Sequence, residues 1–479
     1  MPLFMSEVIA ALATSVAMGP GCMLDHHADV APDPLMVLMN DSGHNAEDET
    51  FLTSVVKLTN RDQFSRAGEA YFSPDSEWII FQAVPSEEET GGQPKYAMFV
   101  AKIIRDPAAG SITGIEEPIR ISPPGSANTC GWFHPNLPGV VLFGSTIVEP
   151  ESEVDAGYSR ENSRYTWDFP REMEVVTRTI PAIVEDSVRN PELKSKLLAR
   201  PDVDRPVPMW ERDGYDAEGS WSPCGRFVLH SSVDPKTKDA DIFVYDIAGD
   251  RRIPLVVAPG YDGGPFFSAD GKWICYRSDR EGNDLLQLFI SELDFDHRGV
   301  PKGIKREIQL TDNRHVNWAP YWHPSGEYLV YASSEVSHRN YEVFAIPAVT
   351  ENMPGTSHSH ADTAHAHDGH VHEHEHEHEH HASHISVVVD RPTIRVTHAA
   401  GFDGLPVFNP DGSLLMWTGQ RLVDDPTTGS RSSQLYIAEV VNAYPDGLRK
   451  AMHDRASDET DAEQQQQQQR RQQQSASAQ

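Results

Sequence analysis

The sequence predicts an all-β fold, a six-bladed β-propeller of four-stranded antiparallel blades, with an N-terminal strand closing the last blade. Three observations predict it. A turn motif recurs six times, a strand pattern of period two follows each copy, and one strand stands ahead of the first copy with no counterpart after the last.

The motif is an aromatic residue, then Ser, His or Asn, then Pro or Ala, then usually a polar residue and Gly. Its copies are Phe72-Ser-Pro-Asp-Ser76, Phe133-His-Pro-Asn-Leu137, Trp221-Ser-Pro-Cys-Gly225, Phe267-Ser-Ala-Asp-Gly271, Trp322-His-Pro-Ser-Gly326 and Phe408-Asn-Pro-Asp-Gly412. The aromatic ends one strand, Pro presets φ for the turn, and Gly supplies the positive φ that a side chain would resist. Alternating apolar strands follow, such as Trp78–Phe81, Trp273–Tyr276 and Leu414–Trp417. Third strands come next (Asp241–Asp246, Gln287–Ile290, Glu342–Ala345, Gln434–Ile437), and then short fourth strands (Ile308–Thr311, Ile394–Thr397). Four strands per unit with bulky aromatics is the pattern of a propeller blade.

The spacing of the turns locates the insertions. Pro74, Pro135, Pro223, Ala269, Pro324 and Pro410 stand 61, 88, 46, 55 and 86 residues apart, whereas an uninterrupted blade needs roughly 40 to 55. The first long interval implies an insertion over about 149–208, which holds a strand of blade two (Glu172–Thr177) and a short helix over Pro191–Leu198. The second long interval is a His-rich loop over 355–385. Val55–Thr59 precedes the first turn as fourth strands precede the others, so it is expected to complete blade six and remove an open sheet edge.

Composition narrows the class of function. The chain has 479 residues, with 40 Lys and Arg against 72 Asp and Glu, for a formal net charge of −32. Nucleic-acid binding needs clustered cations, so that partner is excluded. No run of 18 apolar residues predicts a membrane-spanning helix, and four scattered Cys cannot frame a disulfide scaffold. Residues 1–50 read as a leader and linker. The apolar run Met5–Cys22 suggests an export signal and a periplasmic or envelope location, with Cys22 as a lipid-accepting residue. Glu7, the lack of Lys or Arg ahead of that run, and Pro20 point instead to a plain leader and a cytoplasmic protein. Residues 447–479, with the Gln464–Gln474 tract, read as a disordered polar tail.

Several segments resemble one known family. Gly68–Asp75, Gly260–Gly271, Tyr276–Asn283 leading into Gln287–Ile290, and Phe402–Gly412 are similar to the WD-like repeats of TolB-type β-propellers, over roughly residues 51–445. The resemblance implies a six-bladed, exported propeller, whose namesake is a periplasmic partner in the envelope-spanning Tol–Pal system. That namesake carries an α/β domain before its propeller, and only about 50 residues precede this one, so the role of that domain is not carried over. Related propellers gate prolyl oligopeptidase-type hydrolases, but Gly-x-Ser-x-Gly, the mark of a nucleophile elbow, does not occur here.

The candidate site follows from where each inner strand begins. Its first position is Ala67, Asn128, Asp216, Asp262, Asn317 or Asp403, and its third is Glu69, Cys130, Glu218, Gly264, Ala319 or Leu405. If the ring closes, Asp216, Asp262, Asp403, Asn128 and Asn317 gather at one channel mouth beside Glu69 and Glu218. Such oxygens could hold Ca²⁺ or Mg²⁺, capture a cationic side chain of a partner, or act as general acid and base. The alternative is that each Asp serves the loop entering its own strand. Arg277 and Arg280 read as surface arginines bordering a groove, His134 and His323 as turn residues, and Cys275 as a buried apolar residue. In the loop, His365, His367, His370, His372, His374, His376, His378 and His380 alternate largely with Glu. This pattern suits weak, overlapping binding of Zn²⁺, Ni²⁺ or Cu²⁺, and lacks the packed helix a zinc-protease motif needs.

The function these observations imply is a non-catalytic scaffold of the cell envelope, needing no cofactor, that binds a protein or peptide at the channel face. The alternatives are a cation-dependent lyase or hydrolase at the acidic mouth, and a metal buffer acting through the His-rich loop.

Overall fold

In the computed structural model, six twisted antiparallel sheets are arranged around one axis, and each is threaded from the axis outward. The structure describes residues 50–86, 95–151, 157–159, 164–166, 170–338, 340–348, 392–424 and 429–441. Blade 1 runs through Phe64–Phe72, Trp78–Pro85, Ala97–Arg105 and Ile112–Ile115, with Ile119–Arg120 also pairing to the third strand. Blade 2 comprises Asn128–Phe133, Val140–Ser145, Glu174–Thr179 and Val207–Pro208. Blade 3 comprises Asp216–Trp221, Phe227–Val233, Ala240–Asp246 and Arg251–Val256. Blade 4 comprises Asp262–Phe267, Trp273–Ser278, Gln287–Phe295 and Pro301–Gln309. Blade 5 comprises Asn317–Trp322, Tyr328–Ser337, Asn340–Pro347 and Ile394–Arg395.

Blade 6 is built from both ends of the propeller. Asp403–Phe408, Leu414–Gly419 and Gln434–Val440 supply three strands, and Leu52–Lys57 adds the fourth by pairing antiparallel with Gln434–Val440. The expected closure is therefore observed, and it gives the third strand of blade 6 a partner on its outer edge.

The repeated turns hold as their chemistry predicts. The Ser73 hydroxyl accepts the Trp78 N–H at 2.9 Å and donates to Asp75 at 2.6 Å; Ser268 repeats this with Trp273 and Asp270. His134 and His323 occupy the same place: His134 Nδ1 accepts the Asn136 and Leu137 N–H groups at 3.0 and 3.1 Å, and His323 Nδ1 accepts the Ser325 N–H at 3.1 Å. Gly271 and Gly412 adopt φ of +70° and +76°, and Ser76 takes the same left-handed turn in blade 1 with φ +58°. Between blades the sheets face one another through apolar side chains, with Phe81, Phe143, Tyr276, Tyr331 and Trp417 fully buried.

The excess length in blade 2 is not one insertion. Glu174–Thr179 is a strand of the blade, and the remaining residues lie on either side of it in sequence. After it come two short helices, α1 (Pro181–Ser187) and α2 (Pro191–Leu198). The second matches its sequence prediction and is capped by Asn190, whose side chain accepts the Glu192 and Leu193 N–H groups at 2.9 and 3.1 Å. The first is unforeseen because no side chain caps it and no acid stands in its first turn. It is fixed by tertiary contacts instead: Ile183 and Val184 are buried, and Asp186 accepts from Lys102 and from Trp78 Nε1. The leader with Cys22, the His-rich loop with its eight candidate ligands, and the Gln-rich tail lie outside the described residues.

Candidate functional site

The expected ring of oxygens divides into two sets. At the first position of the inner strands, each polar side chain is buried and engaged, chiefly with its own blade or the loop entering it; Asn128 also donates to the Tyr96 carbonyl of blade 1 at 2.9 Å and Asn317 to Gln287 Oε1 of blade 4 at 3.1 Å. Asn128 Oδ1 accepts from Ser145 at 2.7 Å, and Asn317 Oδ1 accepts from Ser333 at 2.8 Å. Asp216 accepts from Arg212 at 3.1–3.3 Å and from Trp210 Nε1 at 2.8 Å. Asp262 accepts from Arg280 at 2.7 Å. Asp403 accepts from Arg421 at 2.8–3.2 Å and from Trp417 Nε1 at 3.1 Å. The partner is set by sheet register: Ser145, Ser232, Ser278 and Ser333 each sit directly opposite the first-position residue. In blade 6 that place is Gly419, and in blade 1 both members are Ala, Ala67 opposite Ala83.

This corrects two expectations. Asp216, Asp262, Asp403, Asn128 and Asn317 do not converge as open ligands, because each is engaged by side-chain donors of its blade or of the loop entering it, with Asp262 Oδ2 left buried and unmatched. Arg280 is also no idle surface arginine, since it joins Asp262 to Glu307 at 2.7 and 2.8 Å. Among the described residues, no group of three or more His, Cys, Asp or Glu is placed to hold a metal ion.

The third positions do converge. Glu69, Cys130, Glu218, Gly264, Ala319 and Leu405 all line one small cavity of about 20 Å³. The backbone explains why. Every inner strand carries a β-bulge here, between Gly68 and Ala70 in blade 1 and at the matching place in the other five. Every third-position residue has a positive φ, from 47° at Glu69 to 59° at Gly264, although five of the six are not glycine. A left-handed residue costs about 1–2 kcal/mol, so six such bulges are a shared device that turns this side chain toward the axis.

The polar half of this ring comes from blades 1 to 4. Glu218 is saturated, accepting from Ser231 at 2.8 Å, Tyr261 at 2.8 and 2.9 Å, the Gly264 N–H at 2.6 Å and Arg277 at 3.2 Å. Arg277 is thus a buried axial residue and not a groove border. It enters because Gly264 leaves room, and a Cβ at Gly264 would collide with its guanidinium. Burial works against the Glu218 charge, and Arg277 with the hydroxyl donors outweighs it, holding this carboxyl below its usual range.

Glu69 differs. Its Oε1 accepts from Cys130 Sγ at 2.9 Å and Tyr71 at 3.3 Å, while Oε2 has no hydrogen-bond partner. Glu69 is only 5% exposed. Burial pushes its carboxyl above the usual value, and the nearby Glu218 charge adds to this. Burial likewise pushes the Cys130 thiol well up, so it stands as a donor and not a nucleophile.

Two residues further along the inner strands lies a layer the sequence reading did not single out. Tyr71, Trp132, Phe266 and Tyr321 contact one another with ring centroids 4.8–6.5 Å apart. Val407 and Ser220 hold the corresponding places in blades 6 and 3. A second cavity of about 10 Å³ lies between this layer and the bulges. The signal was present in the sequence: an aromatic stands two residues after the third position in four of six repeats.

No family model matches the sequence. An uncharacterised protein of Agrobacterium fabrum is 29% identical over 113 residues, which cover 24% of this chain and 34% of that protein, so the match spans about a third of the relative's length. Among solved structures, the fold is similar to a putative TolB from Agrobacterium tumefaciens (13% identity, TM-score 0.40, 78% of this chain and 91% of that one). It is also similar to TolB from Acinetobacter baumannii (12%, 0.38, 79% and 65%) and to an oligogalacturonate lyase from Vibrio parahaemolyticus (10%, 0.38, 82% and 94%). The similarity to TolB-like six-bladed propellers is one of fold, and the sheet order above defines that fold independently.

Proposed function

We propose that this protein is a non-catalytic binding propeller of the cell envelope that recognises a protein or peptide on the face where its inner strands begin. The observation that carries the reading is the use made of the first-position side chains. Arg212, Arg280 and Arg421 lie in loops of that face, and their pairing with Asp216, Asp262 and Asp403 fixes those loops to the blades. Loops from several blades, held in place at one rigid surface, suit recognition. Small-molecule sites occupy roughly 300–1,000 Å³, far more than the axial cavities of about 10 and 20 Å³. Loops of that face also carry exposed apolar residues: Val148, Val257, Leu422 and Val423 are 42–66% exposed, the last two beside Arg421. The envelope location rests on the apolar run that ends at Cys22.

The test is affinity capture with the native chain and with a Val148→Asp, Val257→Asp, Leu422→Asp variant, each checked for unchanged thermal unfolding. Loss of shared captured proteins from the variant supports the reading. Identical capture by both overturns it. No helix among the described residues is long and apolar enough to cross a membrane.

A further inference from the structure

A second surface lies at the opposite end of the axis, where the first and second strands of each blade meet in the repeated turns. Neighbouring turns touch there. Asn409 Nδ2 of blade 6 donates to Ser76 Oγ of blade 1 at 3.3 Å, and Asn136 Nδ2 of blade 2 donates to the Cys224 carbonyl of blade 3 at 3.1 Å. The His323 ring of blade 5 packs edge-on against Phe408 of blade 6, with centroids 4.7 Å apart. The turns thus form a rim, and the layer of Tyr71, Trp132, Phe266 and Tyr321 is its floor. Trp132, Phe266 and Tyr321 are half-buried, although the blades pack around them. Behind the floor the axis has room for about 10 Å³, less than a side chain needs. An occupant therefore lies on the rings and does not pass between them.

Two observations name the occupant. A partly open cluster of aromatic rings attracts a cation over its faces, and a planar, weakly hydrated guanidinium suits it best. The second observation is charge. The six turns carry five carboxylates, Asp75, Glu77, Asp270, Glu327 and Asp411, against two cations, Arg226 and Lys272. Both cations are committed, Arg226 to Asp246 at 2.9 Å and Lys272 to Asp270 at 3.7 Å, and Arg105 takes Glu77 at 4.0 Å. Glu327, Asp411 and Asp75 stand exposed on the adjacent turns of blades 5, 6 and 1, and make no ion pair among the described residues. On that same side Tyr321, Val407 and Tyr71 of those blades line the small cavity. A second copy of this chain would bring the same carboxylates to this face and be repelled. We infer that the turn-side mouth docks an arginine side chain of a partner polypeptide, its guanidinium on the aromatic floor and its charge toward Asp411 and Asp75. The inference is independent of recognition at the other face.

The test is calorimetry of the full chain with the capped peptide acetyl-Gly-Arg-Gly-Arg-Gly-amide, and with its citrulline counterpart as the uncharged control. Saturable binding of the arginine peptide is expected, weakening with salt and at least about tenfold weaker for citrulline. Asp75→Asn combined with Asp411→Asn removes two charges and keeps the acceptors that hold Ser73 and Ser413. The turns then stay intact while affinity falls about tenfold. Phe266→Leu takes one ring from the floor and should weaken binding by a similar factor. Glu211→Gln combined with Asp312→Asn removes the same charge from exposed positions on the opposite face and should leave affinity unchanged. Each variant is checked for native thermal unfolding. No saturable binding, equal binding of both peptides, an equal loss in the opposite-face variant, or native affinity in both mouth variants would overturn the proposal.

Discussion

Asp216 and Glu218 stand two residues apart on one strand, and so do their counterparts in every blade, yet the two positions do opposite things. The first position faces its own sheet and pairs across the register with the second strand or with a loop arginine. The third position, turned by a bulge with positive φ, leaves its sheet and meets residues from the other five blades. Carboxylates at the first position are spent on holding the structure together. At the third they form a shared centre. The lesson is that sequence spacing placed both sets near the axis, and backbone conformation decided which of them reached it.

The strongest way to break this contrast is to open the ring. Third-position contacts need all six blades, whereas the carboxylate–arginine pairs at the first position are each local to one blade and the loop entering it. Deleting residues 51–60 removes Leu52–Lys57 and leaves Gln434–Val440 as an open edge. We expect loss of the whole cooperative transition, detected by calorimetry, and not fraying of blade 6. A variant that still unfolds in one transition at the native temperature would refute the closure argument.

Next in size is the loss of one first-position pair. Asp403 is fully buried and Arg421 nearly so, and breaking a buried pair from one side costs about 3–5 kcal/mol. Asp403→Ala should therefore lower stability by that order in denaturant unfolding. Asp262→Ala should cost less, because Arg280 keeps Glu307 at 2.8 Å. Equal losses would show that the second carboxylate contributes nothing.

Much of the fold was legible because its signals are local. Six Pro- or Ala-centred turns, their aromatics and the surplus strand at Val55–Thr59 led to the blade count and the closure. The first-position partners were also present in the sequence, since Ser145, Ser232, Ser278 and Ser333 follow their Asn or Asp by 16 or 17 residues. That regularity marks a cross-strand pair and was not read. The bulge could not be read, because Glu69, Cys130, Glu218, Ala319 and Leu405 share no residue type that favours positive φ. The burial of Arg277 was equally hidden, as it depends on a glycine, Gly264, of the neighbouring strand.

Smaller effects come from the turns. His134 and His323 are buried neutral, with pKa values pushed down to about 4 by burial, and for His134 also by the Arg200 charge. A depressed histidine pKa means that stability is fully present above the unfolded value of about 6.5 and is lost as pH falls toward 4. Each can remove up to about 3 kcal/mol over that window. The stability gap between the native chain and His323→Gln should accordingly narrow as pH drops from 6.5 to 4. Asp262, raised to about 6 by burial, works in the opposite sense, so the difference between the two proteins is the informative quantity. A gap independent of pH would show that His323 titrates alike in both states.

The smallest expected effect sharpens the contrast most. Asp403 and Glu69 are both buried carboxylates of inner strands, and replacing Asp403 removes the partner of Arg421. Replacing Glu69 by Gln instead removes a charge whose Oε2 nothing satisfies, and it keeps a carbonyl able to accept from Cys130 and Tyr71. The change should lie within about 1 kcal/mol of zero. Its sign should follow pH. The Glu69 carboxyl is raised in the folded state, so its contribution is complete below the unfolded value and is lost as pH rises through the folded one. Glu69→Gln should therefore gain on the native chain as pH rises above the unfolded carboxyl value, in chemical denaturation at fixed ionic strength. A loss approaching that of Asp403→Ala would mean that the third-position carboxylate is as structural as the first, and the distinction between the two sets would fall.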